Sequence, residues 1–451
     1  AGSPWASPWA RLVAVALGVL LSTAGRIWAA EGFSWKVTAE RLENGLQVLI
    51  LEDHRANALS FQLWYRVGSR NEQIGATGLA HLFEHLMFRG SKEFGPGEFS
   101  RLIQERGGTH NAFTREDSTT YFETIAASEL ALVSRLEADR MTNTILDEET
   151  LGAERKIVME ERRLRVADDP ASELYEQLRA AAFTAHPYGW PVIGWMSDLE
   201  RVALSDALEF RKTYYAPNNA VAVLVGDVTP QQAIATVKEA FAGIAPGPAA
   251  APVRALEPPQ KGERRIHLRR AASLPVIVAA YHVPNYESED GFELSLLATL
   301  LGEGRSSRLQ RALVEDKTLA LWVDASYDRL SVDPALFTVA LRVAPGRKWE
   351  DAEAALYEAL EAIKNEPPAP RELERAKNLV ESSFVFSQDS LFYRGFQLGL
   401  YATLGDWELI KQVIPGIRAV TAEGVRKAAR KYLTETNRTV GVLIPAEQSG
   451  T

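Results

Sequence analysis

The sequence predicts an α+β chain of two homologous halves, each a mostly antiparallel sheet covered by helices. Strand-like and helix-like segments recur in similar order before and after the middle of the chain. A Pro- and Ala-rich stretch, 246–259, interrupts that order between them. The 451 residues, 46% of them apolar, suffice for two separate cores. The expected division is a leader over 1–30, a first half over 31–245, a linker over 246–261 and a second half over 262–451. An ordered loop draped on the surface is the alternative for the linker.

The elements follow from local pattern. Residues 37–51 alternate around Asn44-Gly45, a turn signal between two strands. A strand is expected over 60–67. Leu79, Leu82, Phe83, Leu86 and Met87 fall at i, i+3, i+4, i+7 and i+8, the apolar stripe of a helix. A second helix is expected over 96–106 and a strand over 119–125. Helices follow over 128–141, 148–166 and 171–182, then a strand over 220–225 and a helix over 230–242. Beyond the break, strands are expected over 265–268, 276–281 and 336–343. Helices are expected over 291–301, 307–314, 350–365 and 371–387. The repeat lies in the order of elements rather than in residue identity, and it points to helices covering a sheet in each half.

The N-terminus reads as a targeting segment. Arg11 precedes an uncharged run over 12–25, rich in Leu, Val and Ala. That run suits a signal-peptide core better than a membrane span. Ser22 and Ala24 are small residues at plausible cleavage positions, and cleavage near Ala29 or Ala30 is also compatible. The expected location is a bacterial periplasm, with no stable membrane span once the leader is removed; an uncleaved N-terminal anchor is the alternative.

Composition excludes several classes. A net charge of −9, spread along the chain, argues against a nucleic-acid partner. With no cysteine there is no disulfide, thiolate zinc site or cysteine nucleophile. Any bound zinc must be held by nitrogen and oxygen.

His81-Leu82-Phe83-Glu84-His85 is an H-x-x-E-H arrangement, the inverted form of the H-E-x-x-H zinc motif. Two histidines four apart on a helix point the same way. His81, Glu84 and His85 lie opposite the apolar stripe, so one face can pack while the other holds metal. Without metal, the same face is a solvated polar one. A zinc site of this kind needs a third ligand and a carboxylate that takes a proton from water. The charge-rich helix over 148–166 offers Glu154, Glu160 and Glu161, and spacing alone leaves all three open.

The run from His81 to Gly90 resembles the zinc helix of the pitrilysin-type metallopeptidases, a family that includes the mitochondrial processing peptidase. The stretch 107–114 (GGTHNAFT) resembles its substrate-binding edge strand, and 154–161 (ERKIVMEE) its third-ligand helix. The loop 186–194 and the segment 304–309 are weaker likenesses. The resemblance as a whole spans about residues 38–445. The resemblance implies that His81, His85 and Glu161 bind Zn2+, that Glu84 is the general base, and that Glu154 orients a ligand. It implies that Asn111 and Ala112 receive an extended peptide substrate by strand addition.

One departure stands out. Active members of this family usually carry an arginine and, seven residues later, a tyrosine in the second domain. Val314 and Leu321 occupy those places here, and neither donates a hydrogen bond. Arg394 and Tyr401 repeat the spacing in a different helix, read as coincidence. The reading is therefore a zinc endopeptidase subunit acting in a closed chamber, completed by a homologous partner in a heterodimer, or alternatively as a homodimer. The competing reading is a non-catalytic structural or assembly subunit that retains the fold. His110 and His186 read as strand and turn residues, and His54, His267 and His282 as ordinary histidines. Trp190 and Trp195 are candidates to line a peptide cleft.

Overall fold

The computed structural model describes residues 35–446. The expected leader over 1–30 lies outside the described residues.

The first sheet contains β1 (Val37–Arg41), β2 (Gln47–Glu52), β3 (Leu59–Tyr65), β4 (Thr109–Thr114), β5 (Thr119–Ile125) and β6 (Ala220–Gly226). Its order is β1-β2-β6-β3-β5-β4, with β2 and β6 parallel and every other pair antiparallel. The helices of this half are α1 (Leu79–Leu86), α2 (Glu98–Glu105), α3 (Leu130–Asn143), α4 (Glu148–Arg162) and α5 (Pro170–Ala182). They continue with α6 (Met196–Leu199), α7 (Leu204–Tyr214) and α8 (Pro230–Phe241).

The second sheet is β7 (Arg264–Arg270), β8 (Val276–Val283), β9 (Ala320–Tyr327), β10 (Ala335–Val343) and β11 (Arg438–Pro445). Its order, β7-β11-β8-β10-β9, repeats the path β2-β6-β3-β5-β4, and again only the first pair, β7 with β11, is parallel. The helices here are α9 (Gly291–Gly302), α10 (Trp349–Asn365), α11 (Pro370–Ser387), α12 (Leu391–Thr403), α13 (Val413–Ala419) and α14 (Ala422–Tyr432). The expected α+β fold of two mostly antiparallel, helix-covered sheets is what the chain adopts.

Local chemistry explains several boundaries. Asp147 caps α4 by accepting from Thr150 N at 2.8 Å, and Asp169 with Pro170 starts α5. The helix expected over 148–166 is α4 followed by a π-helical turn over Arg163–Ala167. The helix expected over 307–314 is π-wound over Gln310–Asp316. Two strands, β9 and β11, lie where neither sequence periodicity nor the family resemblance assigned one. Both mix polar residues or glycine into the alternation: Asp324 and Ser326 in one, Thr439 and Gly441 in the other.

Each sheet buries its two faces differently. Leu59, Phe61, Leu63 and Tyr65 of β3 turn into the core that α1 shares, whereas Trp64 turns to the opposite face. That opposite face, with Leu49, Leu51, Val221, Val223 and Val225, is covered by Leu398 and Ala402 of α12, a helix from the second half. Reciprocally, Leu174 and Leu178 of α5, from the first half, cover Val276, Val278, Ala280 and Leu443 of the second sheet. Each half thus completes the other's core. Hydrogen bonds fasten α12 as well: Gln62 Nε2 donates to Phe392 O at 2.8 Å and Arg66 Nη2 to Ala402 O at 3.2 Å.

The tips of two hairpins also meet. At the β4–β5 turn, Arg115 pairs with Asp328, and Asp117 accepts from Val332 N at 3.1 Å. Tyr188 O–H donates to Asp117 at 2.7 Å and accepts from Asp333 N at 3.1 Å. Residues 246–261 carry neither helix nor strand. They are tied down where Gly247 N donates to Asn218 at 2.8 Å and where Glu257 accepts from the backbone of Thr184, Ala185 and His186.

Candidate metal centre and active site

The site is built where α1 packs on α4. Helix α1 starts at Gly78, which has no side chain to cap it and sits at φ 85°. A carboxylate from the preceding turn takes over: Glu72 accepts from Gly78 N at 2.8 Å and Ala80 N at 2.7 Å. Burial pushes Glu72 up to about 8, so the cap works by accepting these two N–H groups, which the first turn leaves without intrahelical partners, and it fixes the turn from which His81 projects. The face holding His81, Glu84 and His85 packs against α4 rather than facing solvent: His81 is only 9% exposed.

One imidazole nitrogen from each of His81 and His85 and one Glu161 oxygen lie within 4.8 Å of one another. His81 Nε2 is 3.8 Å and His85 Nε2 3.4 Å from Glu161 Oε2. Glu161's other oxygen is held by Arg165 at 2.7 Å. The geometry separates the three glutamates that spacing left open. Glu160 points away and pairs with Arg163 at 2.9 Å. Glu154 is buried behind the pair, its Oε2 3.3 Å from His85 Nδ1 and its Oε1 paired with Arg89. Two imidazoles and one carboxylate match the ligand set of a catalytic zinc site with an open position, and with no cysteine thiolate in the chain this set fits zinc.

Electrostatics differ sharply across the site. Burial, aided by the neighbouring His85, lowers His81 to about 4, leaving it neutral as a metal ligand must be. Burial works against charge on His85 too, but contacts with Glu154 and Glu161 outweigh it and push His85 up to about 9. For Glu161, burial is overcome by the His85 contact and by the charges of His81 and Arg165, and its carboxyl falls below the usual range. Burial pushes Glu84 up to about 7, against the pull of a hydrogen bond from Thr114. A carboxylate near that value is matched to accepting and returning a proton at neutral pH.

Thr114 was not visible in the sequence as a site residue. Its Oγ1 donates to Glu84 Oε2 at 2.6 Å. Thr114 ends β4, so this bond ties the edge strand to the carboxylate. Asn111 and Ala112 lie on the same strand, paired with Phe122 and Tyr121 of β5, and the strand's outer edge is unpaired among the described residues. Asn111 is exposed, and its Oδ1 accepts from Ala112 N at 2.9 Å.

Other candidates are accounted for by their neighbours. His110 packs between Phe88 and Phe99, with both ring centroids 5.5 Å away. His186 accepts from Tyr188 N and faces Asp333 at 3.0 Å, a turn residue at the junction of the halves. His282 bonds Ala182 O, His54 faces Asp227, and His267 packs on Trp349. Trp190 and Trp195 line a cavity of ≈ 260 Å³ with Ile74, Thr77 and Phe183. Arg394 pairs with Asp53, and Tyr401 O–H accepts from Arg329 at 3.3 Å. Both belong to α12, on the face of the first sheet opposite α1. Val314 is packed against the second core, while Leu321 on β9 is 52% exposed.

Residues 47–194 match the model for insulinase (peptidase family M16), and residues 201–380 match the model for the peptidase M16 inactive domain. Zinc protease PqqE of Helicobacter pylori is 33% identical over 376 residues, covering 82% of this chain and 84% of that protein. The chain belongs to peptidase family M16. The crystal structure of a protease from Helicobacter pylori superposes with a TM-score of 0.88 at 30% identity, covering 91% of this chain and 100% of that one. The periplasmic protease PqqL from Escherichia coli has the same fold, with a TM-score of 0.76 at 18% identity. That match covers 92% of this chain but 48% of PqqL, so this M16 chain corresponds to about half of the longer protein. No helix among the described residues is long and apolar enough to cross a membrane.

Proposed function

We propose that this chain is the metal-bearing subunit of a zinc endopeptidase. The observation that carries the reading is the convergence of His81, His85 and Glu161 donors beside a buried Glu84. His81 Nε2, His85 Nε2 and Glu161 Oε2 would hold Zn2+. When bound, the ion supplies Lewis acidity, polarising the scissile carbonyl and acidifying water. Glu84, raised toward neutrality, takes the proton of the attacking water and delivers it to the leaving amine. Thr114 holds one Glu84 oxygen and leaves the other for that work. An extended peptide pairs with the free edge of β4 beside Asn111 and Ala112, in register with the base because Thr114 ends the same strand. Glu154 orients His85.

The chain lacks donors for the substrate carbonyl at Val314 and Leu321. A homologous partner without H-x-x-E-H but with Arg and Tyr at those places would supply them, closing a chamber over His81 and Glu161. That Escherichia coli PqqL is about twice as long as this chain supports a chamber built from two such pairs of halves. A homodimer is the simpler assembly. Division near 246–261 and export of the mature chain to the periplasm complete the proposal; PqqL is described as periplasmic. The second reading is a non-catalytic subunit, favoured by the missing donors and by the second half's likeness to the inactive domain.

The test is metal analysis followed by peptide cleavage, with and without a candidate partner. His85→Ala should abolish stoichiometric zinc. Glu84→Gln should keep zinc and lose at least ~10²-fold in turnover. Undiminished zinc in the first variant, or full turnover in the second, refutes the assignment.

A further inference from the structure

His81 and His85 are held in different ways. The Nδ1 of His81 is buried with no hydrogen-bond partner. The Nδ1 of His85 lies 3.3 Å from Glu154 Oε2, which leaves its Nε2 facing Glu161. Glu154 is itself 1% exposed and needs a counter-charge, since removing one partner from a buried ion pair leaves the other stranded. Its other oxygen, Oε1, pairs with Arg89, three residues past the end of α1.

We propose that Arg89 is a positioning residue of the metal centre. Its ion pair with Glu154 Oε1 anchors that carboxylate, so that Oε2 stays beside His85 Nδ1 and accepts its proton, leaving the Nε2 lone pair for the ion. This rests on the zinc reading of the site. Nothing in the H-x-x-E-H spacing points to Arg89; only the path through α4 does. Arg165 makes a similar contact to Glu161 Oε1, but Arg165 is 65% exposed, and exposed pairs are weak. Arg89 is itself 46% exposed, and it differs in the carboxylate it meets, whose side chain is 2% exposed against 17% for Glu161.

The experiment measures the zinc dissociation constant of the full chain by competition with a chromophoric chelator, alongside 15N-histidine spectra that report the His85 tautomer. Arg89→Ala should weaken zinc by ~10–100-fold, the usual effect of losing a group behind a ligand. It should also disperse the Nδ1–H tautomer signal of His85. Arg89→Lys should recover most of the affinity. Arg89→Ala placed on Glu154→Gln should weaken zinc no further than Glu154→Gln alone. Arg165→Ala should change affinity by no more than about fivefold. Arg89→Gln keeps a polar group and guards against misfolding of the alanine variant. Wild-type zinc affinity in both Arg89→Ala and Arg89→Gln, or full additivity with Glu154→Gln, overturns the proposal. Absence of zinc binding by the unmodified chain would overturn the zinc reading itself and this inference with it.

Discussion

Gly399 lies on the face of α12 that meets the first sheet, and a Cβ added there would come 2.1 Å from Trp64 Cε2 and Nε1. Two effects of Gly399→Ala oppose each other. Alanine favours the helix by about 1 kcal/mol. Overpacking a closed core costs about 1–3 kcal/mol, and more when nothing yields. Here nothing near yields. Trp64 is fully buried, its indole N–H donates to Gln62 at 3.0 Å, and its ring meets Phe113 and Phe396 edge-on at 5.6 and 5.4 Å. Restoring ordinary contact near ~3.5–4.0 Å requires α12 to lift by more than ~1 Å along Leu398 and Ala402. The clash therefore wins, with a net loss of about 2 kcal/mol or more. Because each half completes the other's core, the two melt as one unit, and about 2 kcal/mol set against ~2.1 cal/mol/K per residue is a Tm drop of about 2–3 °C. The control is Gly152→Ala in α4, whose added Cβ meets nothing within 4 Å and which should hold or raise Tm. Both are read by calorimetry of the metal-free chain. If Gly399→Ala melts at or above the wild-type temperature, the close approach of α12 to Trp64 is wrong.

Thr114→Val should retain zinc but lower turnover at least ~10-fold, because a misplaced base costs rate steeply; equal kcat for variant and wild type would dismiss the role. Asp53, held at about 2 foremost by its hydrogen bond from Arg55, is ionised well below its ordinary value of 3.8. A depressed carboxyl stabilises the fold above its unfolded pKa and loses that contribution as pH falls through its folded one. Asp53→Asn should thus be less stable than wild type by about 2 kcal/mol at pH 7, the gap closing between about pH 4 and 2; urea titrations that show a constant gap would contradict this. The isolated chain should be weakly active or inactive on peptides, and a homologous chain bearing the missing Arg and Tyr should restore cleavage. Robust cleavage with no partner detectable by mass spectrometry would refute the heterodimer.

The sheets, the helix-covered architecture and the residues that converge on the site were readable because each rests on short-range pattern. Asn44-Gly45 announces a hairpin between β1 and β2. The spacing of His81, Glu84 and His85 on one helix is local geometry. The third donor was not decided by spacing: Glu160 and Glu161 differ by one residue, and only the packing of α4 on α1 turns one inward and leaves the other with Arg163. Contacts that join distant segments left no periodic trace, so Thr114 and Arg89 were missed. Glu137 and Arg140 look like the solvated side of α3, yet both are buried. Arg140 lies over the rings of Phe99 and Tyr121 at 4.2 and 4.4 Å and is neutralised by Glu137. The strands β9 and β11 escaped because their alternation is broken by residues that tertiary neighbours accommodate.

The crossing of α5 and α12 also makes the halves interdependent in folding. The last strand of the first sheet ends at Gly226, but the helix that shields that sheet's apolar rear ends at Thr403. Leu49, Leu51, Val221, Val223 and Val225 therefore have no cover until nearly the whole chain is available to fold. A first half folded alone presents a bare β surface, the kind that adheres to other chains. Fragments ending before residue 391 should accordingly aggregate rather than fold.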